Sequence, residues 1–168
     1  MSDSTKGKSA ENWEARDIWS LGPKFRIDVN NPQKGCNGSE VYTIYGVNND
    51  KDVNLSGLTS SDIGFGKSNT EAIVNPYPDS ATAAKFCNDV KINYYDDWFL
   101  PSINELNLIF EKRHSIGNFS SDYSSHYWAS TSYDDETSSG AFSRFFNTAS
   151  ICFKSKDELF HIRPVRYF

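Results

Sequence analysis

Residues 96–106 read DDWFLPSINEL, and this stretch defines the start of a helix. Pro101 sets the backbone angle just before the first turn. Ser102 and Glu105 have the spacing of a capping box, in which each side chain accepts a hydrogen bond from the other residue's backbone N–H. Apolar residues then recur with helical spacing as far as Arg113. The stretch therefore predicts a helix from about Ser102 to Arg113, with the aromatic residues before Pro101 packed into a core.

A second helix is predicted upstream of this stretch. Pro78 and the pair Asp79-Ser80 give a start signal. One apolar stripe follows at helical spacing, formed by Ala83, Phe86, Cys87 and Val90. Residues 48–75 carry three glycines and many Ser, Asn and Asp, so we interpret them as a long loop, and loops of that length are usually functional or locally structured.

Strands dominate the prediction for the second half of the chain. Beyond Gly117 apolar residues alternate with polar ones, which predicts strands at 127–133, 141–146, 151–154 and 161–167. Two further strands are expected at 25–29 and 41–47, and residues 13–22 indicate only a short helical turn. Helices followed by a run of strands indicate an α+β fold.

Composition and charge narrow the class of protein. The 168 residues fit one domain, and the 12 Phe, 9 Tyr and 4 Trp must supply much of its core. The net charge of -5 argues against a nucleic-acid partner, which requires clustered Lys and Arg. No run of apolar residues is long enough for membrane insertion, and residues 1–10 lack the apolar centre of a signal peptide.

Residues that hold metals or perform catalysis do not form a recognisable pattern. The three cysteines, an odd number without CxxC spacing, are Cys36, Cys87 and Cys152. One disulfide stays open as an alternative to buried thiols. The three histidines have neither HxxxH nor HxH spacing, and the acidic residues 134–136 lack the ladder of a calcium loop. We expect no metal, no cofactor and no catalytic site.

Several short motifs, taken in order, resemble the Lcl C-terminal domain family, which is named after a collagen-like bacterial adhesin. Its signature D-W-x-L-P-[ST]-x-x-E-L is similar to a run with matching residues at Asp97, Trp98, Leu100, Pro101, Ser102 and Glu105. Other pieces of the pattern are GFGKSNT at 64–70, YWAST at 127–131, AFSRFF at 141–146 and RPVR at 163–166. The resemblance covers roughly residues 64–168.

The resemblance implies a fold similar to C-type-lectin-like and formylglycine-generating-enzyme-like domains. Such a fold has two helices flanking small twisted antiparallel sheets, with the chain ends close together. Within it we expect structural roles for Tyr127, Trp128, Arg163 and Arg166, with an arginine reaching a carboxylate such as Asp97 or Glu105.

We expect a non-catalytic recognition and display module that binds a cell-surface glycan or protein through loops at about 48–68 and 115–126. Loops on rigid scaffolds commonly carry recognition, and short polar and tyrosine side chains suit adaptable contacts. The candidate ligand-contacting residues are Tyr123, Ser124, Ser125, His126, Asp134 and Asp135.

Two alternatives remain open at this point. Residues 1–22 are expected to form an arm that orders on a partner, and residues 23–168 one lectin-like domain. We expect extracellular display but find no export signal, and a phage virion protein, such as a head-decoration or tail-fibre component, would explain both. In that case the arm would make the contacts with the oligomer or the particle. An enzyme acting on glycans is the third hypothesis, because sequence alone does not reveal a pair of carboxylates.

Overall fold

The computed structural model describes residues 18–20, 41–42, 55, 57–76, 78, 82–91, 94–117, 119, 125–134, 139–156 and 158–167. The α+β class is confirmed. The described helices are α1 (Gly66–Val74), α2 (Ala83–Asp89), α3 (Ile103–Glu111) and α4 (Arg113–Ile116). The strands are β1 (Ile18–Ser20), β2 (Val41–Tyr42), β3 (His126–Asp134), β4 (Ser139–Phe145), β5 (Ser150–Ser155), β6 (Phe160–His161) and β7 (Val165–Tyr167).

Two sheets organise the strands. The larger has the order β2-β6-β3-β4-β5, and the smaller pairs β1 with β7. Strands β3, β4 and β5 form an antiparallel meander, whereas β3 and β6 run parallel. The larger sheet is therefore mixed, which corrects the expectation of purely antiparallel sheets. An isolated bridge between Phe99 and Val165 links the signature stretch to β7.

Helix α1 corrects the interpretation of residues 48–75 as a loop. Gly66 is its first residue, and its backbone lies against the side chains of Glu105 and Phe99. A Cβ at Gly66 would overlap Oε2 of Glu105 and would lie 2.7 Å from a ring carbon of Phe99. The glycine permits this close approach and does not break the helix, whereas any larger residue would force the Glu105 or Phe99 side chain to move.

The other two main helices are confirmed, with one corrected start. Helix α2 is capped by Thr82, whose Oγ1 accepts a hydrogen bond from the backbone N–H of Lys85 at 3.0 Å, so the start signal at Pro78 was placed too early. Helix α3 has the predicted capping box between Ser102 and Glu105. It ends at Glu111, and α4 continues the helical path beyond Lys112.

The predicted strands of the second half are confirmed, except that the last one divides. Pro164 lies between β6 and β7, and proline has no N–H to donate to a strand ladder. The prediction of a short helical turn within 13–22 is wrong for residues 18–20, which form the extended strand β1, antiparallel to β7. Strand β2 covers the start of the predicted strand 41–47, and the predicted strand 25–29 lies outside the described residues.

The core contains the aromatic residues that the composition required. One cluster lies between α1, α2 and the sheet and includes Trp128 and Leu100. A second lies between α3 and the sheet and includes Phe99 and Tyr127. Trp98 packs separately with Val90 and Phe86. Among the described helices, none has the length and apolar character that crossing a membrane demands.

Candidate functional site

Glu105 is buried and accepts hydrogen bonds from four donor groups in three chain segments. Its Oε2 accepts from the backbone N–H of Ser102 at 2.8 Å. Its Oε1 accepts from the backbone N–H of Gly64 at 2.8 Å and of Gly66 at 3.5 Å. The hydroxyl of Tyr167 also donates to Oε1, at 2.5 Å. The carboxyl group therefore joins the start of α3, the start of α1 and strand β7.

Burial changes the acid–base behaviour of this pair. It raises the pKa of the Glu105 carboxyl above its ordinary value, and the hydrogen bonds from Tyr167, Ser102 and Gly64 offset only part of that shift. It also raises the pKa of the Tyr167 hydroxyl, since a buried phenolate beside a carboxylate would be unfavourable. The Tyr167 proton is therefore held on its oxygen, where it serves as the donor to Glu105.

Residues 57–65, which we call the display loop, are bound to the scaffold along their length. The carboxamide of Asn69 exchanges two hydrogen bonds with the backbone of Ser60, at 2.9 and 2.7 Å. The hydroxyl of Ser102 donates to the carbonyl of Asp62 at 2.9 Å, and the backbone N–H of Asn104 donates to that of Ser61 at 3.2 Å.

Strand β3 supplies further bonds to the display loop. The hydroxyl of Thr131 donates to the carbonyl of Ser60 at 3.1 Å, and the backbone N–H of Ser132 donates to the hydroxyl of Thr59 at 3.0 Å. Leu55, just before the loop, is buried in the core. Because α1, α3 and β3 all bind it, the loop has a defined conformation before any ligand arrives.

The motifs quoted from the sequence meet around this loop. Thr70, in GFGKSNT, bonds both backbone groups of Leu100, in the signature stretch. Thr131, in YWAST, accepts from the backbone N–H of Ile103 at 3.0 Å. The carboxamide of Asn69 also reaches the hydroxyl of Ser130 at 3.3 Å. The signature therefore encodes one polar network that supports the display loop.

Two apolar side chains of the display loop point outward. Leu58 is 60% exposed and follows Gly57, whose φ of 74° makes the local turn. Phe65 is 45% exposed and lies at the N-cap of α1. Each of these side chains offers apolar area that a partner could cover, and a fixed backbone lowers the entropy cost of such a contact.

The end of the RPVR motif forms the expected ion pair. Arg166 donates from Nε to Asp97 Oδ1 at 2.7 Å and from a terminal nitrogen to Oδ2 at 2.9 Å. Its guanidinium carbon also lies 3.8 Å from the ring centre of Tyr95. This bidentate pair confirms the prediction that an arginine reaches Asp97, and it links β7 to the signature stretch.

Arg163 stabilises the start of the second predicted loop. It donates to the carbonyl of Gly117 at 3.2 Å, and its guanidinium carbon lies 4.5 Å from the ring centre of Phe119. Burial lowers the pKa of Arg163 to about 10, so it still carries its charge at neutral pH. These contacts agree with the structural role expected for Arg163, which stays a prediction.

Two of the predicted ligand-contacting residues, Ser125 and His126, lie among other side chains of the domain. Ser125 is buried, and its carbonyl accepts from the backbone N–H of Phe146 at 3.1 Å. His126 stacks between the rings of Phe145 and Phe160, at 4.6 and 4.7 Å, and burial lowers its pKa.

The remaining predicted ligand-contacting residues lie mostly outside the part of the chain that the structure describes. Asp134 is the last residue of β3. Tyr123, Ser124, Asp135 and the side chain of Asp134 lie outside the described residues, so their ligand contacts stay a prediction.

Sequence reasoning included the display loop in the region 48–68 but did not single out Leu58 or Phe65. Whether an apolar side chain in a polar loop is buried or exposed depends on which neighbours fold over it, and no local pattern encodes that. The supporting residues Asn69, Thr70 and Thr131 were visible, because each lies in a quoted motif.

These features define a class of protein: an α+β domain whose signature residues form a buried polar network beneath a preordered surface loop. The family model for the Lcl C-terminal domain matches residues 36–166, so the chain belongs to that family. The match begins upstream of the motifs quoted from the sequence. The family name associates the chain with surface and adhesin modules. A comparison with curated proteins gave no match.

Proposed function

We propose that this chain is a non-catalytic recognition module that binds a glycan or a protein on a cell surface through the display loop. The observation that carries the proposal is a loop bound by α1, α3 and β3 that nevertheless exposes Leu58 and Phe65. The Phe65 ring can stack on the C–H face of a sugar or on an apolar side chain, and Leu58 adds apolar contact area.

Preorganisation supports binding as the role of this loop. A flexible loop must lose conformational entropy when it binds, at about 0.5–1.5 kcal/mol for each immobilised side chain. The bonds to Ser60, Asp62 and Gly64 already fix the loop backbone during folding, so binding has mainly the exposed side chains left to order. Affinity then depends on the exposed side chains and their partner.

We also propose that the scaffold is C-type-lectin-like. Support comes from the pairing of β1 with β7, which brings distant parts of the chain together, and from helices placed beside small sheets. In folds of this kind recognition residues lie on loops, as in the display loop.

A double substitution of the display loop tests the proposal. We expect Leu58→Ser with Phe65→Ser to weaken binding of the labelled chain to intact cells or to a printed glycan array by at least about tenfold, since two apolar contacts are removed. The melting temperature should stay nearly unchanged, because both side chains are exposed.

The matched control for that experiment is Leu159→Ser. Leu159 is 53% exposed and is not part of the display loop, since it lies between β5 and β6 in the chain. We expect it to leave binding unaltered. Equal binding by the double variant and the original chain would refute the display loop as the recognition site.

Removal of calcium is expected to have no effect on stability. We propose that neither a metal nor another cofactor takes part in folding or binding, so excess chelator withdraws nothing that stabilises the folded state. Melting curves with and without chelator check this, with a calcium-dependent lectin as the positive control. A drop of several degrees would contradict the proposal and indicate ion binding by residues 134–136.

The virion and enzyme hypotheses have their own tests. A virion component should co-purify with phage particles. Because residues 18–20 pair with β7 inside the domain, the arm that this hypothesis needs would lie before β1, and deletion of residues 1–17 should abolish the association. A glycan-acting enzyme should release reducing sugar in a screen of glycan substrates. A positive screen would replace the non-catalytic proposal.

A further inference from the structure

The edge of the larger sheet at β5 is a surface that the display loop does not include. Strand β5 pairs with β4 on one side, and no strand within the described ranges lies along its other side. The outer side of an edge strand presents backbone N–H and C=O groups that can pair with another strand.

Apolar side chains gather on one face of this edge. Phe153 lies opposite Phe142 of β4, and its ring centre is 5.0 Å from that of Tyr133 of β3. Ile151 is on the same strand and is 49% exposed. We call these four residues the β5 patch: Tyr133, Phe142, Ile151 and Phe153.

Strand β5 has few of the features that protect edges from pairing. Its sequence, SICFKS, contains no proline, and its register against β4 is continuous, without a bulge. Its one charge is Lys154, whose Nζ lies 3.8 Å from the carboxylate of Glu158. The edge is therefore able to accept another strand.

We propose that β5 pairs antiparallel with β5 of a second copy of this chain, about a two-fold axis at Cys152. Directly opposed residues in an antiparallel pair share one face of the sheet. The axis therefore places Cys152 opposite the partner's Cys152 and Ile151 opposite the partner's Phe153. Lys154 lies opposite the partner's Ser150.

Comparison of registers favours this axis. An axis at Phe153 would place Ile151 opposite the partner's Ser155 and leave that apolar side chain without an apolar neighbour. An axis at Lys154 would oppose two like charges, which is destabilising. Of the three axes compared, only the one at Cys152 pairs Ile151 with the partner's Phe153 and Phe153 with the partner's Ile151. The edge is therefore complementary to itself, which indicates a second copy of this chain as its partner.

The apolar area of the β5 patch sets the affinity that we expect for the dimer. Tyr133, Ile151 and Phe153 are about half exposed, and Phe142 is partly buried against the core. Together they present on the order of 300 Å² of apolar area or less, no more than the largest patch on a typical monomer. A stable dimer buries about 800 Å² on each partner, so β5 pairing alone should give a weak dimer with a Kd of about 1 to 100 μM.

The first test uses the full chain in analytical ultracentrifugation together with thiol cross-linking. Cys152 carries a free, half-exposed thiol. Opposed residues have Cα atoms about 4.5 to 5.5 Å apart, within the range that a disulfide spans. Diamide should therefore link two copies, taking up the two electrons and two protons that the thiols lose, and Cys152→Ser should abolish the link. A dimer that the oxidant does not link through Cys152 would overturn the register.

The second test uses a pair of charge substitutions. Ile151→Lys should weaken the dimer by at least about tenfold, since it would bury an ammonium against the partner's Phe153. Leu159→Lys, at a similarly exposed position outside β5, should leave it unchanged. A chain that stays monomeric at about 0.5 mM, or a dimer insensitive to Ile151→Lys, would overturn the proposal. Because Leu58 and Phe65 are untouched, ligand binding can be scored independently of this outcome.

Discussion

Trp98→Ala is expected to lower the free energy of unfolding by about 3 to 5 kcal/mol. The indole is buried against Val90 and Phe86, where α2 ends and the signature stretch begins. Its removal leaves a cavity that neighbouring residues of two rigid segments cannot fill. For a domain of this size, we expect the melting temperature to fall by roughly 6 to 20 °C.

Tyr94→Ala is the matched control for that substitution. Tyr94 lies four positions before Trp98 and is fully exposed, so its loss should change stability by less than about 0.5 kcal/mol. Thermal and urea unfolding of both variants check the pair. Equal melting curves for Trp98→Ala and the original chain would mean that the indole is not part of the core.

Glu105→Gln is expected to destabilise the fold by about 1 to 3 kcal/mol. Both carboxyl oxygens accept hydrogen bonds, one from Ser102 and the other from Gly64 and Tyr167. A carboxamide has one accepting oxygen, so its NH₂ must face a donor in either orientation. Because this network also holds the display loop, we expect amide exchange to quicken at Gly64.

The pH dependence of this effect has a defined sign. The pKa of Glu105 is raised in the folded state above the ordinary value of 4.5, so the folded protein binds the proton more tightly than the unfolded chain. The stability that this protonated carboxyl gives the fold is fully present below pH 4.5, and it is lost as the pH rises through the pKa of the folded state. The glutamine side chain of the variant cannot lose a proton, so the stability of the variant should not fall over this pH range. The destabilisation caused by Glu105→Gln should therefore be smaller at neutral pH than at acidic pH.

The matched control is Glu71→Gln, on the exposed face of α1. It changes the same chemical group without removing a buried acceptor, so stability should stay within about 0.5 kcal/mol at every pH. A penalty for Glu105→Gln that is equal to that of Glu71→Gln would show that the buried network contributes nothing.

Local chemistry explains which elements could be predicted from the sequence. Ser102 and Glu105 interact across one turn, so their spacing alone predicts the start of α3. Strand β3 is buried on both faces, with Trp128 in one core cluster and Tyr127 in the other. Its aromatic residues, which favour strands, therefore mark it more clearly than alternation does. The bidentate pair of Arg166 and Asp97 could be anticipated because both residues lie in motifs of the same family.

Features that depend on distant contacts could not be predicted. Helix α1 begins at Gly66, and the reason for that glycine is the side chain of Glu105, far along the chain. The parallel pairing of β3 with β6 leaves no mark on either strand's sequence. The exposure of Leu58 and Phe65 likewise depends on the whole network beneath the display loop, so the candidate site emerged only from the folded arrangement.

The two-stranded sheet has a consequence for the folding pathway. Ile18 of β1 pairs with Tyr167 of β7, about 150 positions later, so this contact has a very high sequence separation and a large loop-closure entropy. On the ribosome β1 emerges long before its partner has been synthesised. Helices α1 to α3 and the β3–β4–β5 meander can assemble from nearby segments, whereas the β1–β7 ribbon must form last, as the step that closes the domain.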